Sequence, residues 1–287
     1  MGQPMSANLA AAGFSVLSFD LNGRGNRRSI RDAARGVDAL ITMLPDGDAV
    51  REAVLEALPA LQRGAIVVDM SSSDPVGTRA LAAVLLAKHI SLIDAPVSGA
   101  VAGAKDATLT IMAGGEKKDL EQILPLLQAM GKRIFHVGPL GAGHVVKALN
   151  NYLGAAGTLA GFEALLVAQA FGLDPKPMLD AINASTGRNS TTERKISQQV
   201  LTGAFASGFR LALMAKDVGI AAGLARGLGV DTPYLKETLR LWRAAQRRLP
   251  RGADHTEIFR YLEKLKLPSR AAAARRSTSR RPRRRSS

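Results

Sequence analysis

Cysteine is absent from the chain, so neither a disulfide nor a thiolate-bound metal is available to it. The four histidines, 89, 136, 144 and 255, are scattered without metal-ligand spacing, and no metal is expected. Aromatic residues make up only 4% of the chain against 46% apolar residues, which leaves Ala, Leu, Val and Ile to build the core. Such a composition suits sheets covered by helices. No stretch carries the charged start, apolar middle and cleavage site of a signal peptide, and a cytoplasmic location is the expectation. The most apolar helical region, 152–170, contains Glu163 and several glycines, which argues against a membrane span.

Acidic residues are outnumbered, giving a net charge of +15, but the excess is unevenly placed. Residues 269–287 hold eight arginines and no acid, so this tail carries about half of the surplus and is expected to be disordered. It has no interleaved aromatics for base stacking. Nucleic acid is therefore expected as a partner only non-specifically, through tail–phosphate contacts.

With 287 residues, two domains are expected. Apolar runs of strand length occur at 14–20, 38–44, 65–70, 90–96, 108–114 and 133–138, with helical spacing between most of them, as at 49–61 and 76–88. This alternation predicts an α/β domain with a parallel sheet buried on both faces, spanning 1–140. From Gly143 onward the segments are helical, at 143–172, 175–185, 192–200, 208–227, 234–246 and 255–266. An all-helical domain is expected over 141–268, followed by the tail.

Several residues invite a chemical reading. The run FSVLSFD ends in Asp20, after a helical stretch closing on Gly13. In a dinucleotide-binding βαβ unit, an acid at that place bonds the ribose hydroxyls and favours NAD over NADP. Arg24, Arg27 and Arg28 follow closely and soften that preference. Gly2 then falls where the third glycine of G-x-G-x-x-G belongs, the one that lets the helix pack close to its strand. Ser98 and Gly99 lie just past a strand's carboxyl end, where open α/β sheets place ligands. A hydroxyl and backbone N–H groups there suit a carboxylate. Lys147 and Asn151 are four apart and share one helix face. Taken by spacing alone, each of these features also fits an ordinary turn, cap or solvated side chain.

In order along the chain stand MGQPMSANLAAAGFSVLSFD, ITMLPDGDAV (41–50), DMSSSDP (69–75), DAPVSGAVAGAKDATLTIMAGG (94–115), GPLGAGHVVKALNN (138–151) and FRLALMAKDVGIA (209–221). Together these motifs resemble the β-hydroxyacid dehydrogenases, the 3-hydroxyisobutyrate dehydrogenase family, over residues 2 to about 265. The resemblance implies an NAD-dependent oxidoreductase that interconverts a small β-hydroxyacid and its semialdehyde. It implies Lys147 as general acid/base, and Asn151 with Ser98, Gly99 and Ala100 around a small carboxylate substrate. It implies Gly2, Met5, Asp20, Leu44, Pro45, Ser72 and Lys216 around the cofactor, with Lys216 toward the nicotinamide end. A homodimer or homotetramer built on the helical domain is the expected assembly. Met1-Gly2 with Ser6 also fits an N-myristoylation pattern. No second membrane signal supports that anchor, and Pro4 and Met5 belong to the dehydrogenase motif.

The chain departs from the family pattern in several places. Ala100 and Ala107 stand where glycines are usual, and Ser72 where threonine is usual. The strand and the two glycines that normally precede Met1-Gly2 are absent from the given sequence, as are a helix and strand between Asp20 and Ser29. The expectation is therefore an incomplete Rossmann-type domain with weak NAD-dependent oxidation, restored by adding a first strand and G-x-G. A 6-phosphogluconate-type activity is disfavoured, because the chain is too short for that family's larger helical domain. The competing expectation, from a different class, is a non-catalytic oligomeric scaffold or binding module using the basic tail.

Overall fold

The computed structural model describes residues 1–265, so the arginine-rich stretch 269–287 and the expected domain end at 268 lie outside the described residues. Six strands form one sheet: β1 Ala39–Thr42, β2 Ile66–Asp69, β3 Ser91–Asp94, β4 Val97–Ser98, β5 Leu109–Gly114 and β6 Gly131–Gly138. The spatial order is β1-β2-β3-β5-β4, with β6 also paired to β5. Around the sheet lie α1 Gly2–Ala11, α2 Ile30–Ala34, α3 Gly47–Ala57, α4 Pro75–Leu86, α5 Ala100–Lys105 and α6 Lys117–Met130. The helical part comprises α7 Ala142–Phe171, α8 Pro175–Asn183, a π-helix Thr191–Val200, α9 Leu211–Gly227, α10 Pro233–Arg248 and α11 Ile258–Glu263.

Local chemistry sets many of these limits. Asp46, Asp74 and Asp174 cap α3, α4 and α8, each accepting a hydrogen bond from a backbone N–H of the first turn. Pro75 and Pro175 stand at the first helical position, where a missing N–H costs nothing. Strands β2 and β3 are buried along most of their length, with Val67, Val68 and Ile93 at 0% exposure, as a sheet covered on both faces requires.

Two expectations from the sequence are corrected. The run 14–20 is extended but is not a strand. Strand status requires a ladder, and its backbone bonds instead to the following turn. Arg27 N donates to Ser18 O, Asn26 Nδ2 to Val16 O, and Ser18 N to Asn26 Oδ1. Phe14 and Val16 still pack against the apolar cluster under the sheet. The sheet is also mixed rather than parallel. β1, β2 and β3 run parallel, whereas β5 runs antiparallel to β3 and β4. β4 runs on in the direction of β3, and after the six-residue α5 the chain returns beside both, so β5 pairs antiparallel with each.

Helix α7 is the spine of the molecule. It is long and apolar enough to cross a membrane, yet it packs on β5 and β6 at its start and on α9, α10 and α11 further along. Phe162 and Trp242, both fully buried, anchor the helical core. A second polar cluster pins the chain on either side of that core. Asp254 accepts bonds from Ser207 Oγ, Gly208 N, Thr256 N and Thr256 Oγ1; burial pushes its carboxyl up, but the Thr256 and Ser207 bonds and His255 outweigh it and hold the carboxyl below the usual range. Burial, with Lys195 nearby, pushes His255 down to about 4. Because the folded value lies below the unfolded one, this histidine's contribution to stability is present above about pH 6.5 and lost as pH falls toward 4.

Ala100 and Ala107 have φ of 55° and 51°, a left-handed conformation that L residues adopt at a cost. The family's usual glycines at both places are thus explained by backbone geometry. Ala107→Gly is expected to raise stability by about 1 kcal/mol, the relieved strain exceeding the added chain entropy. An unchanged or lower urea midpoint would contradict this account.

Candidate active site

The carboxyl ends of β1, β2 and β3 face the start of α7, and the polar groups of the molecule converge there. Asp94, at the end of β3 and fully buried, accepts bonds from Gly141 N at 2.7 Å and His144 N at 2.8 Å. Its carboxylate thereby caps α7 in the absence of a side-chain cap from Gly141 itself. Burial raises the pKa of Asp94, while His144 and these N–H donors oppose the rise. Gly143 permits the close approach. A Cβ there would collide with Met112 O and would lie 2.8 Å from Asp94 O.

One turn further along α7 stands Lys147, half-buried. Burial lowers its pKa, Asp217 counteracts this, and Lys216 adds to the lowering. Asn151 follows on the same face and donates from Nδ2 to Asp217 Oδ2 at 2.5 Å, while Asn150 Nδ2 donates to Asn151 Oδ1 at 3.2 Å. Asp217, on α9, is 2% exposed. Its Oδ1 makes no aligned hydrogen bond, yet the Lys216 ammonium lies 3.1 Å away, an ion contact of poor angle rather than an unpartnered charge. Lys216 Nζ donates to Pro45 O at 2.9 Å and Ser72 O at 2.6 Å, so α9 reaches the loops after β1 and β2.

Those two loops are themselves tied. Asp69, ending β2, accepts from Thr42 Oγ1, Ser71 N and Ser73 Oγ, and Leu44 N donates to Ser71 Oγ. The start of α1 lies against the first loop, where a Cβ on Gly2 would sit 3.7 Å from Met43 Cβ. The structure therefore brings Leu44, Pro45, Ser72, Lys216, Lys147 and Asn151 into one connected neighbourhood, with Gly2 at its edge. Met5 is buried among the sheet's apolar residues, so its side chain serves packing. Asp20 is exposed and accepts the Asn22 N–H within its own turn. Ser98 closes β4, Ala100 opens α5, and Gly99 alone lies between them. Gly99 has φ 134°, and a Cβ there would press on Leu109. Asp217, Asp94, Asp69 and His144 were not assigned roles by the sequence reading. The available signal was an acid closing each of two neighbouring strands, DM and DAP, opposite the glycine-rich start of α7.

Parallel strand ends, a helix N-terminus beside them and a half-buried lysine one turn along that helix suit a dinucleotide-dependent oxidoreductase. The chain's residues fit such a cofactor. The first turn of α1 has no side-chain cap, and the loops 43–46 and 70–73 lie at the strand ends with Lys216 over them. Residues 1–138 match the model for the NAD binding domain of 6-phosphogluconate dehydrogenase, and residues 141–262 that for NAD-binding of NADP-dependent 3-hydroxyisobutyrate dehydrogenase. The 2-(hydroxymethyl)glutarate dehydrogenase of Eubacterium barkeri is 37% identical over 81% of this chain and 82% of its own length. An NAD-dependent L-serine dehydrogenase of Pseudomonas aeruginosa is 36% identical over 85% and 88%. The structure of Mycobacterium tuberculosis 3-hydroxyisobutyrate dehydrogenase with L-serine superposes with a TM-score of 0.84 at 31% identity, covering 91% of this chain and 95% of that one. The chain belongs to the β-hydroxyacid dehydrogenase family. It is an NAD-dependent oxidoreductase of the β-hydroxyacid dehydrogenase type.

The charges around Lys147 make a signed prediction. Asp217→Asn removes the group that favours the ammonium, so the pKa of Lys147 is expected to fall further. Lys216→Met removes a like charge, so it should rise. Amine labelling of Lys147 against pH, read by mass spectrometry, checks both. Shifts of the same sign in the two variants would contradict the arrangement.

Proposed function

We propose that the enzyme interconverts a small β-hydroxyacid and its semialdehyde with Lys147 as the acid/base. The carrying observation is the half-buried Lys147 with its lowered pKa, one turn from an Asn151 amide held by Asp217. The cofactor supplies the hydride acceptor when bound. Unprotonated Lys147 takes the hydroxyl proton during oxidation, and its ammonium returns one during reduction. Oxidation therefore gains rate as pH rises through the Lys147 pKa, and reduction loses it. Asn151, with its amide plane fixed by Asn150 and Asp217, retains one Nδ2 hydrogen for the substrate. Ser98, Gly99 and Ala100 hold the carboxylate, the Ala100 methyl narrowing that turn relative to glycine.

Around NAD, the proposal places Gly2, Leu44, Pro45, Ser72 and Lys216, with the backbone at Met5 alongside. Asp20 faces the adenosine ribose, favouring NAD over NADP by repelling a 2′-phosphate. A division near residue 140, a cytoplasmic location and a homodimer or homotetramer complete the reading. Support for assembly comes from α7, whose face opposite Lys147 exposes Leu149 by 42%, Leu153 by 68%, Val167 by 71% and Phe171 by 81%. Water-exposed apolar stripes of this length are usually covered by a partner.

Lys147→Ala is expected to lower kcat by about 10²–10⁴-fold, followed as NADH formation from β-hydroxyacids. Activity that survives the change would remove Lys147 from the chemistry. Separately, the pair Val167→Glu and Phe171→Glu should convert the assembly to monomer in sedimentation experiments. An unchanged mass would place the subunit contact elsewhere.

A further inference from the structure

His144 is 1% exposed and sits between two carboxylates that the catalytic reading leaves without a role. Its Nδ1 shares a hydrogen bond with Thr78 Oγ1 at 2.9 Å and lies 3.8 Å from Asp94 Oδ2, while its Nε2 faces Asp69 Oδ2 at 3.5 Å as a polar contact without a hydrogen bond. Its backbone N–H is one of the two held by Asp94. No three acidic or histidine side chains form a metal-binding group among the described residues, so the cluster is not read as an ion site.

The connections running out from this ring are what give it a purpose. Through Asp69 it reaches Thr42, Ser71 and Ser73, and through Ser71 it reaches Leu44. These residues shape the loops after β1 and β2, the same loops whose Pro45 and Ser72 carbonyls hold Lys216. In the other direction, His144 is three residues before Lys147, one helical turn away on α7. Through Thr78 the ring is also tied to α4. A single imidazole thus presents polar atoms to opposite sides. A leucine of similar size would leave both Asp69 and Thr78 facing an apolar surface in a buried place.

We propose that His144 is a positioning residue for the dehydrogenase: its ring joins the Asp69 turn beneath the cofactor loops to the helix that carries Lys147, and so sets where Lys147 stands relative to those loops. The inference rests on the acid/base reading of Lys147. Because the link runs through side-chain atoms at both ends, its two halves are separable. Gln at 144 is long enough to reach Asp69, whereas Asn retains only the Thr78 side.

The test uses the full chain with His144→Leu, His144→Gln and His144→Asn. Positioning predicts that His144→Leu lowers kcat roughly 10- to 100-fold while KM for the hydroxyacid changes little, the penalty for a displaced catalytic group. His144→Gln should recover more of kcat than His144→Asn. Equal rates in Leu, Gln and Asn variants, or a wild-type kcat in His144→Leu accompanied only by a lower Tm, would overturn the proposal. A readout without turnover keeps the two readings apart. In His144→Leu, the pH profile for labelling Lys147 should move up toward ordinary lysine as the helix start loosens and admits water. A profile identical to wild type would overturn the positioning role. If wild type itself shows no hydroxyacid turnover, the acid/base reading fails while the labelling result still decides the link. Should His144→Leu fail to fold, Thr78→Val severs the Nδ1 side alone and is read in the same two assays, with the same outcomes for and against.

Discussion

A carboxylate closing a strand and capping a helix holds the two halves of this enzyme in register. Asp94 ends β3 and takes the first free N–H groups of α7, so sheet and spine meet through charge-assisted bonds in a dry place. Lys147, Asn151 and the contacts of α9 all lie downstream along one rigid helix. A displacement at Gly141 or His144 would therefore be transmitted to each of them. Burial makes the joint demanding, because an Asp94 without its donors would be an unpaired polar group at zero exposure.

The catalytic neighbourhood has a similar logic. Burial and Lys216 lower the pKa of Lys147, and Asp217 opposes that lowering. Asp217 also accepts the Asn151 amide, so one carboxylate meets both the lysine's electrostatics and the asparagine's orientation. Lys216 belongs both to this electrostatic balance and to the cofactor loops, through Pro45 and Ser72. A single side chain thus ties this charge balance to the loops that follow β1 and β2.

Much of this was legible from the sequence because it depends on local pattern. Apolar runs ending in Asp marked β2 and β3, and the spacing of Lys147 and Asn151 placed them on one face. Other features depend on distant partners. The segment 14–20 has strand composition, but a strand exists only where a neighbour completes its ladder, and here the turn around Asn26 takes its bonds. The reversal of β5 follows from β4 continuing the direction of β3, so that β5 returns beside both. Asp217 meets Asn151 across 66 residues, and His144 meets Asp69 across a still longer stretch, so neither contact leaves a local signature. Ala100 and Ala107 were noticed as departures, and only their positive φ explains why glycine is usual there.

Gly143 has a consequence for how such an enzyme diverges. Its backbone lies directly on Met112 O and Asp94 O, leaving no room for a side chain between helix and sheet. The height of α7 above the strands is therefore fixed by main-chain atoms, which sequence drift cannot enlarge or shrink. Side chains around the cleft are free to change shape, charge and reach while the lysine keeps its station. A scaffold of this kind separates the geometry of proton transfer from the recognition of a particular acid. Its relatives, named for several different substrates, fit that separation.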